Sequence, residues 1–240
     1  LEKELTEFAG DKTFVDADLF VVPAQKPFKA GYSDELFCSP RIDNLTSAYC
    51  SLAGLIKSTP KAIDVCFIAD NEEVGSQTRQ GAGADFLQSV TERISLSFGF
   101  DFRTALADSF MVSFDNAHAV HPNHPELSDP TNKTVLGGGI AIKRHANFNY
   151  TTVIKGVWKN AGVKYQDFYM RSDLPCGGTL GAISSSHLSV LSVDVGLPQL
   201  AMHSACETAC LSDVDEGING VTAFYSVAFS SDGDGSITVK

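Results

Sequence analysis

The chain has 240 residues, 43% of them hydrophobic and 20% charged, with a formal net charge of -11 and a pI of about 4.9. That length and composition suit one large globular domain with a sizeable core. No Lys/Arg cluster offers the basic face that nucleic acid requires, and no apolar run approaches the roughly 20 residues of a membrane span.

The opening Leu-Glu-Lys-Glu-Leu-Thr-Glu has no Met and reads as the tail of an amphipathic helix, so Leu1 is not expected to be the native start. It does not read as a secretory leader, although sequons stand at Asn44, Asn132 and Asn149. Asp18–Val22 reads as a strand. Arg41–Lys57 reads as a helix that begins after Ser39-Pro40. Ala62–Ala69 is an apolar run rich in Val, Ile and Phe, expected to be a buried strand that ends at the acidic turn Asp70-Asn71-Glu72-Glu73. Ala84–Ser97 is expected to be helical and Phe110–Phe114 a strand ending at Asp115. Gly139–Lys143 is a short strand, Thr151–Ala161 a helix, and Lys164–Met170 a strand ending near Asp173. Thr179–His187 is helical, Ser189–Val195 a strand, and Asp213–Ala228 a closing helix. This alternation predicts an α/β fold with a mainly parallel twisted sheet sandwiched between helices.

In such sheets functional groups gather beyond the carboxyl ends of the strands. Glu72 and Glu73, Asp115, Asp173 and the segment leading to His203 all fall there. Glu72-Glu73 alone is a solvated acidic loop. After an apolar run and before the turn Val74-Gly75-Ser76, one of the two Glu residues can ligate a metal while the other takes a proton from metal-activated water. Asp43 reads either as a helix cap or as a carboxylate bridging two metals roughly 3.5–4 Å apart. Asp115 is followed by His118, His121 and His124, which form either a polar surface loop or part of a site. His203 reads as a satisfied structural His or as the imidazole in a mixed nitrogen and oxygen zinc set.

Six cysteines are scattered without a CxxC pair, which fits reduced thiols in a cytosol. Cys206 and Cys210 read as buried small hydrophobes rather than a structural zinc site. Cys176 lacks an evident base and is not expected to be a nucleophile. The glycine pieces Gly137–Gly139 and Cys176–Thr179 are not phosphate loops, since no Gly-Lys-Ser/Thr follows. Asp232–Ser236 lacks the final Glu of a calcium loop and reads as an exposed turn.

Taken in order, Ser39–Leu45 (SPRIDNL), Asp70–Ser76 (DNEEVGS), Asp115–Asn123 (DNAHAVHPN), Ile142-Lys143, Asp173–Gly181 (DLPCGGTLG) and Pro198–Ser204 (PQLAMHS) closely resemble the aspartyl aminopeptidase family of dinuclear zinc metallopeptidases. The resemblance runs from about Asp18 past His203. It implies a zinc-aminopeptidase-like fold with residues 1–240 as a catalytic domain, and release of N-terminal Asp or Glu from peptides. By the same resemblance Asp43 bridges two zincs (Mn2+ or Co2+ as substitutes), Glu72 is the general base and acid, and Glu73, Asp115 and His203 are ligands. His118 lies near the substrate oxygen, Lys143 meets the acidic substrate side chain, and Tyr150 shapes that pocket. Arg144 and Arg171 are the alternative cations.

The chain also departs from the family. The family's first ligand, in a His-x-Asp motif, lies upstream of the bridging Asp, and an inserted oligomerisation domain separates the two. No His precedes His118 here. The chain is therefore expected to be the carboxyl-terminal part of a longer cytoplasmic homo-oligomer, incomplete at its amino-terminal side and holding at most one metal tightly on its own. The alternatives are a silent binding or shell subunit of the same fold, and a related dinuclear peptidase of other specificity. Gly138-Gly139 stands where the family usually has Gly-Pro, and His124 where an aromatic is common.

Overall fold

A computed structural model describes residues 1–144, 150–174, 178, 180–231, 233–234 and 236–240. The readings at Asn149, Cys176-Gly177, Thr179, Asp232 and Gly235 lie outside these residues.

The frame is a seven-stranded sheet organised by one long strand. β1 (Phe28–Ala30) and β2 (Leu36–Ser39) form its outer hairpin, followed in the chain by β3 (Phe110–His118), β4 (Ile140–Lys143), β5 (Tyr165–Phe168), β6 (Leu191–Leu200) and β7 (Glu207–Cys210). β3 runs parallel to β6 along one whole edge, from Phe110 opposite Leu191 to His118 opposite Gln199. The other edge of β6 takes β4, antiparallel at Val195 and Gly196, and then β7 at Gln199 and Leu200. β5 lies parallel to β4, and β2 lies antiparallel to β7. β6 is buried from Ser192 to Gln199, as expected of a strand covered on both faces.

The central sheet flanked by helices is as expected, but its pairing is mixed rather than mainly parallel. Two of its six pairs are parallel and four antiparallel among the described residues. The hairpins at β1–β2 and β7, which no strong alternation marks in the sequence, supply most of the difference.

Two periodicities separate the faces. Val193, Val195 and Leu197 of β6, with Ile140 and Ile142 of β4, pack on helices α2 (Ile42–Lys57), α5 (Thr151–Ala161) and α7 (Leu211–Tyr225), through Cys50, Ile154, Trp158 and Ile218. (The remaining helices are α1, Glu2–Ala9; α3, Phe86–Ser97; α4, Phe102–Ala107; and α6, Leu180–Leu188.) Trp158 donates its indole N–H to the Gly220 carbonyl at 2.9 Å, so its one polar atom is satisfied inside the core. Ser113 and Asp194 face the opposite way, toward α6. A small hairpin of β8 (Phe229–Ser231) and β9 (Ile237–Val239) follows α7.

Two expected strands are absent. Asp18–Val22 is exposed and carries no ladder. Ala62–Ala69 also carries none, and Ile63, Val65 and Ile68 are exposed. An apolar run becomes a strand only where a neighbour takes its N–H and C=O groups, and none of the described strands lies beside this one. Its contacts are Tyr225, whose hydroxyl donates to the Val65 carbonyl at 3.2 Å, and the ring of Phe86 against Phe67.

Gly196 lies opposite Asp115 in the ladder, where a Cβ would sit 2.3 Å from the Asp115 carbonyl oxygen. Substituting Ala must push β3 away at the residue that carries the site. Gly196→Ala is expected to lower stability by about 1–3 kcal/mol, as overpacking does, read as a lower urea midpoint.

Candidate metal centre

Three chain segments converge near the carboxyl-terminal end of β3. The first is the start of α2. Arg41 is left-handed (φ 61°) and Asp43 is non-helical (φ -76°, ψ 115°), so the chain turns before the helix proper begins. Asn44 donates its side-chain amide to the Phe114 carbonyl at 3.1 Å. Thr46 and Ser47 donate their hydroxyls to the Asn116 side-chain oxygen at 3.1 and 2.8 Å. These bonds pin α2 to β3 on both sides of Asp115.

The second segment is the acidic turn. Asn71 is left-handed (φ 58°), a conformation its short polar side chain tolerates. Ser76 N–H donates to the Asn71 carbonyl at 3.0 Å and Gly75 N–H to the Glu72 carbonyl at 2.8 Å. The loop is thereby closed with Glu72 half-buried and Glu73 exposed.

The third is the turn after β6, where Ala201 and His203 are both left-handed. His203 Nε2 lies 3.1 Å from Asp43 Oδ2 and 3.1 Å from Glu73 Oε1. One ligating atom from each of Asp43, Glu73 and His203 falls within 4.8 Å of the others.

The electrostatics fit a cation. Burial and the charges of Asp115 and Glu73 raise the Asp43 carboxyl to about 7, with His203 opposing. Burial, Asp115 and Glu73 likewise raise Glu72. At His203, desolvation works against protonation, but the charges of Glu73 and Asp43 outweigh it and the pKa is raised. His118 stands at the end of β3. Lost hydration and the positive charges of His203 and Lys143 hold it below its ordinary pKa, which favours the neutral ring. Carboxylates crowded in this way are stabilised by a positive ion. One imidazole nitrogen with carboxylate oxygens is a donor set that zinc accepts.

Lys143 lies at the floor of this group. It is 4% exposed, with its ammonium 3.4 Å from Asp115 Oδ2 and 4.0 Å from Asp194 Oδ1. Ala141 and Lys143 point away from the Ile140–Ile142 face, which sends the ammonium under Asp115. The other two cations are held elsewhere, Arg144 by Asp167 at 3.0 Å and Arg171 by Asp173.

Not every expected residue arrives. Tyr150 packs edge-on against Phe110, which opens β3 five residues, or roughly 16 Å, before Asp115. It belongs to an aromatic group with Phe224 and Phe229 rather than to this cluster. Asp173 is exposed beside Arg171. The rings of His121 and His124 lie tilted with centroids 5.5 Å apart in an exposed loop, where His124 meets Glu126 at 3.1 Å. Sequence reasoning missed Glu207, buried at the start of β7 and bonded to both Asp43 and His203. Its only signal was an acidic residue four positions after His203.

Asp43, Glu73 and His203, brought together beside Asp115 of β3, form a donor set of the kind that holds a metal ion. The chain belongs to the family described as Aminopeptidase I zinc metalloprotease (M18), whose sequence profile matches residues 3–225. It is 42% identical over 226 residues to a probable M18 family aminopeptidase 2 of Clostridium novyi, covering 90% of this chain and 52% of that protein. It is 35% identical over 247 residues to the aspartyl aminopeptidase of Dictyostelium discoideum, covering 94% and 51%. Among solved structures, the mApe1 dodecamer of S. cerevisiae superposes with a TM-score of 0.72 at 28% identity, over 84% of this chain and 48% of that one. The chain thus spans about half the length of the curated relatives it matches.

Removing the Lys143 ammonium takes a buried cation away from the buried Asp194 and the half-buried Asp115. Lys143→Met is expected to lower stability by about 3 kcal/mol, as loss of one partner of a buried pair does. Urea unfolding at neutral pH measures it.

Proposed function

We propose that this chain, residues 1–240, forms the catalytic part of a metallo-aminopeptidase that releases N-terminal Asp or Glu from peptides. The observation that carries the reading is the convergence of Asp43, Glu73 and His203 from three distant segments, with Glu72 beside them. Family membership and the aspartyl aminopeptidase name of the Dictyostelium relative support the acidic specificity.

Asp43, Glu73, Asp115 and His203 would hold two zinc ions in the complete site, with manganese or cobalt as substitutes. Zinc, when bound, supplies Lewis acidity to the scissile carbonyl and to water. Glu72 takes the proton of the attacking water and returns it to the departing amine. Its partial burial raises its proton affinity, as suits a group that must accept and then release a proton. Neutral His118 faces the reacting oxygen as a hydrogen-bond donor. Lys143 supplies the positive potential that an acidic side chain needs in a chain of net charge -11. Tyr150 is packed against Phe110, away from this cluster, and takes no part in the proposed pocket.

The dodecameric yeast relative supports a homo-oligomer. Free thiols at Cys38, Cys50, Cys66, Cys206 and Cys210 fit a cytoplasmic setting. No described helix is long and apolar enough to cross a membrane.

The full-length protein loaded with zinc is expected to hydrolyse Glu- and Asp-amide substrates. Glu72→Gln is expected to lower kcat by at least about 10²-fold, the scale of a lost general base, while zinc content stays unchanged. Full activity in Glu72→Gln would remove the general-base assignment. No turnover by the loaded wild-type protein would favour the silent-subunit reading.

A further inference from the structure

We infer that Glu207 is a positioning residue that clamps the two sides of the metal centre together. The inference rests on the metal-site reading above.

Glu207 is 2% exposed and opens β7. Its two carboxylate oxygens are divided between two backbone donors. Oε2 accepts the Asp43 N–H at 3.0 Å and Oε1 accepts the His203 N–H at 2.6 Å. Neither donor has a helical or sheet partner to take it. Asp43 lies in the first turn of α2, where an N–H has no intrahelical acceptor, and His203 is left-handed in the turn after β6. An ionised carboxylate only accepts, and it can serve both donors at once. Such charge-assisted bonds are short and strong.

The carboxylate therefore spans residues 43 and 203 at their main chains, while their side chains meet at 3.1 Å on the other side. The sheet register sets where Glu207 stands. Glu207 pairs with Ser39, the last residue of β2, and Pro40–Ile42 lead straight from there to Asp43. Turns inside the loop complete the frame, with Ser204 N–H on the Ala201 carbonyl at 3.0 Å and Cys206 N–H on the Ser204 hydroxyl at 3.1 Å. A side chain whose two oxygens are both taken by main-chain donors thus fixes how far apart Asp43 and His203 lie and which way each points. Groups that orient ligands from behind typically change metal affinity about 10–100-fold.

The Glu207→Gln variant keeps the shape but turns one acceptor into an amide that faces an N–H donor. Glu207→Asp keeps the charge but is one methylene too short to reach both donors. Both are made in the full-length protein. Zinc affinity is read by competition with a chromophoric chelator, and thermal unfolding of the metal-free protein is read alongside. The expected result is a zinc affinity at least about 10-fold weaker in both variants, in protein that still unfolds cooperatively without metal. Wild-type zinc affinity in either folded variant, with only the metal-free stability lowered, would overturn the positioning role. If Glu207→Gln does not fold, Glu207→Asp decides. His203→Ala serves as the control on the underlying reading. Unchanged zinc binding there removes the metal site itself, whatever the Glu207 variants do.

Discussion

Carboxylates held too close together are the constraint to which the rest of this structure answers. Asp43, Glu72, Glu73 and Asp115 gather at one end of the sheet, and burial, with the charges of Asp115 and Glu73, raises Asp43 to about 7. The protein answers from several directions. Lys143 comes from below through β4, His203 comes from the turn after β6, and backbone and amide donors fix the loops that carry the acids. The charge that remains uncompensated is what makes the place suitable for a cation. The arrangement is costly without one and is stabilised by one.

The sheet makes this crowding possible because β6 has three partners. Its long edge along β3 sets Asp115 level with Gly196, while its other edge is shared by β4, which brings Lys143, and β7, which brings Glu207. Helix α2 then lies across the same face as α7 and is tied to β3 by Asn44, Thr46 and Ser47. The four acidic side chains come from three separate segments, α2, the acidic turn and β3, so the site depends on how these pack rather than on any one loop.

Much of this was legible in the sequence, and the reasons differ by element. Thr151–Ala161 stands as read, because its apolar spacing agrees with Gly162, left-handed just past its end (φ 72°). Asp43, Glu72, Glu73, Asp115 and His203 stood out because polar residues beside apolar runs are conspicuous, and the structure brings them together. Ala62–Ala69 misled because hydrophobicity alone supplies neither a covering layer nor a hydrogen-bonding neighbour, and Ile63, Val65 and Ile68 stay exposed. The sheet was read as mainly parallel because β1, β2 and β7 are three or four residues long and carry little pattern. Tyr150 was out of reach for a different reason. Its place follows from Phe110, Phe224 and Phe229, and no local spacing reveals a contact made across the fold. Glu207 was hidden likewise, since its partners are main-chain groups that any residue would carry.

The turn that holds His203 is bonded to a strand that pairs with β2, and β2 leads into the helix start that carries Asp43. These pieces lie some 160 positions apart in the chain, so the donor set does not exist until a loop of that length has closed. Contacts of such high sequence separation form slowly. An ion bound there would recognise only chains that have completed this closure. By mass action it would hold finished molecules in the native state, so the same cluster would also act as a lock on the topology.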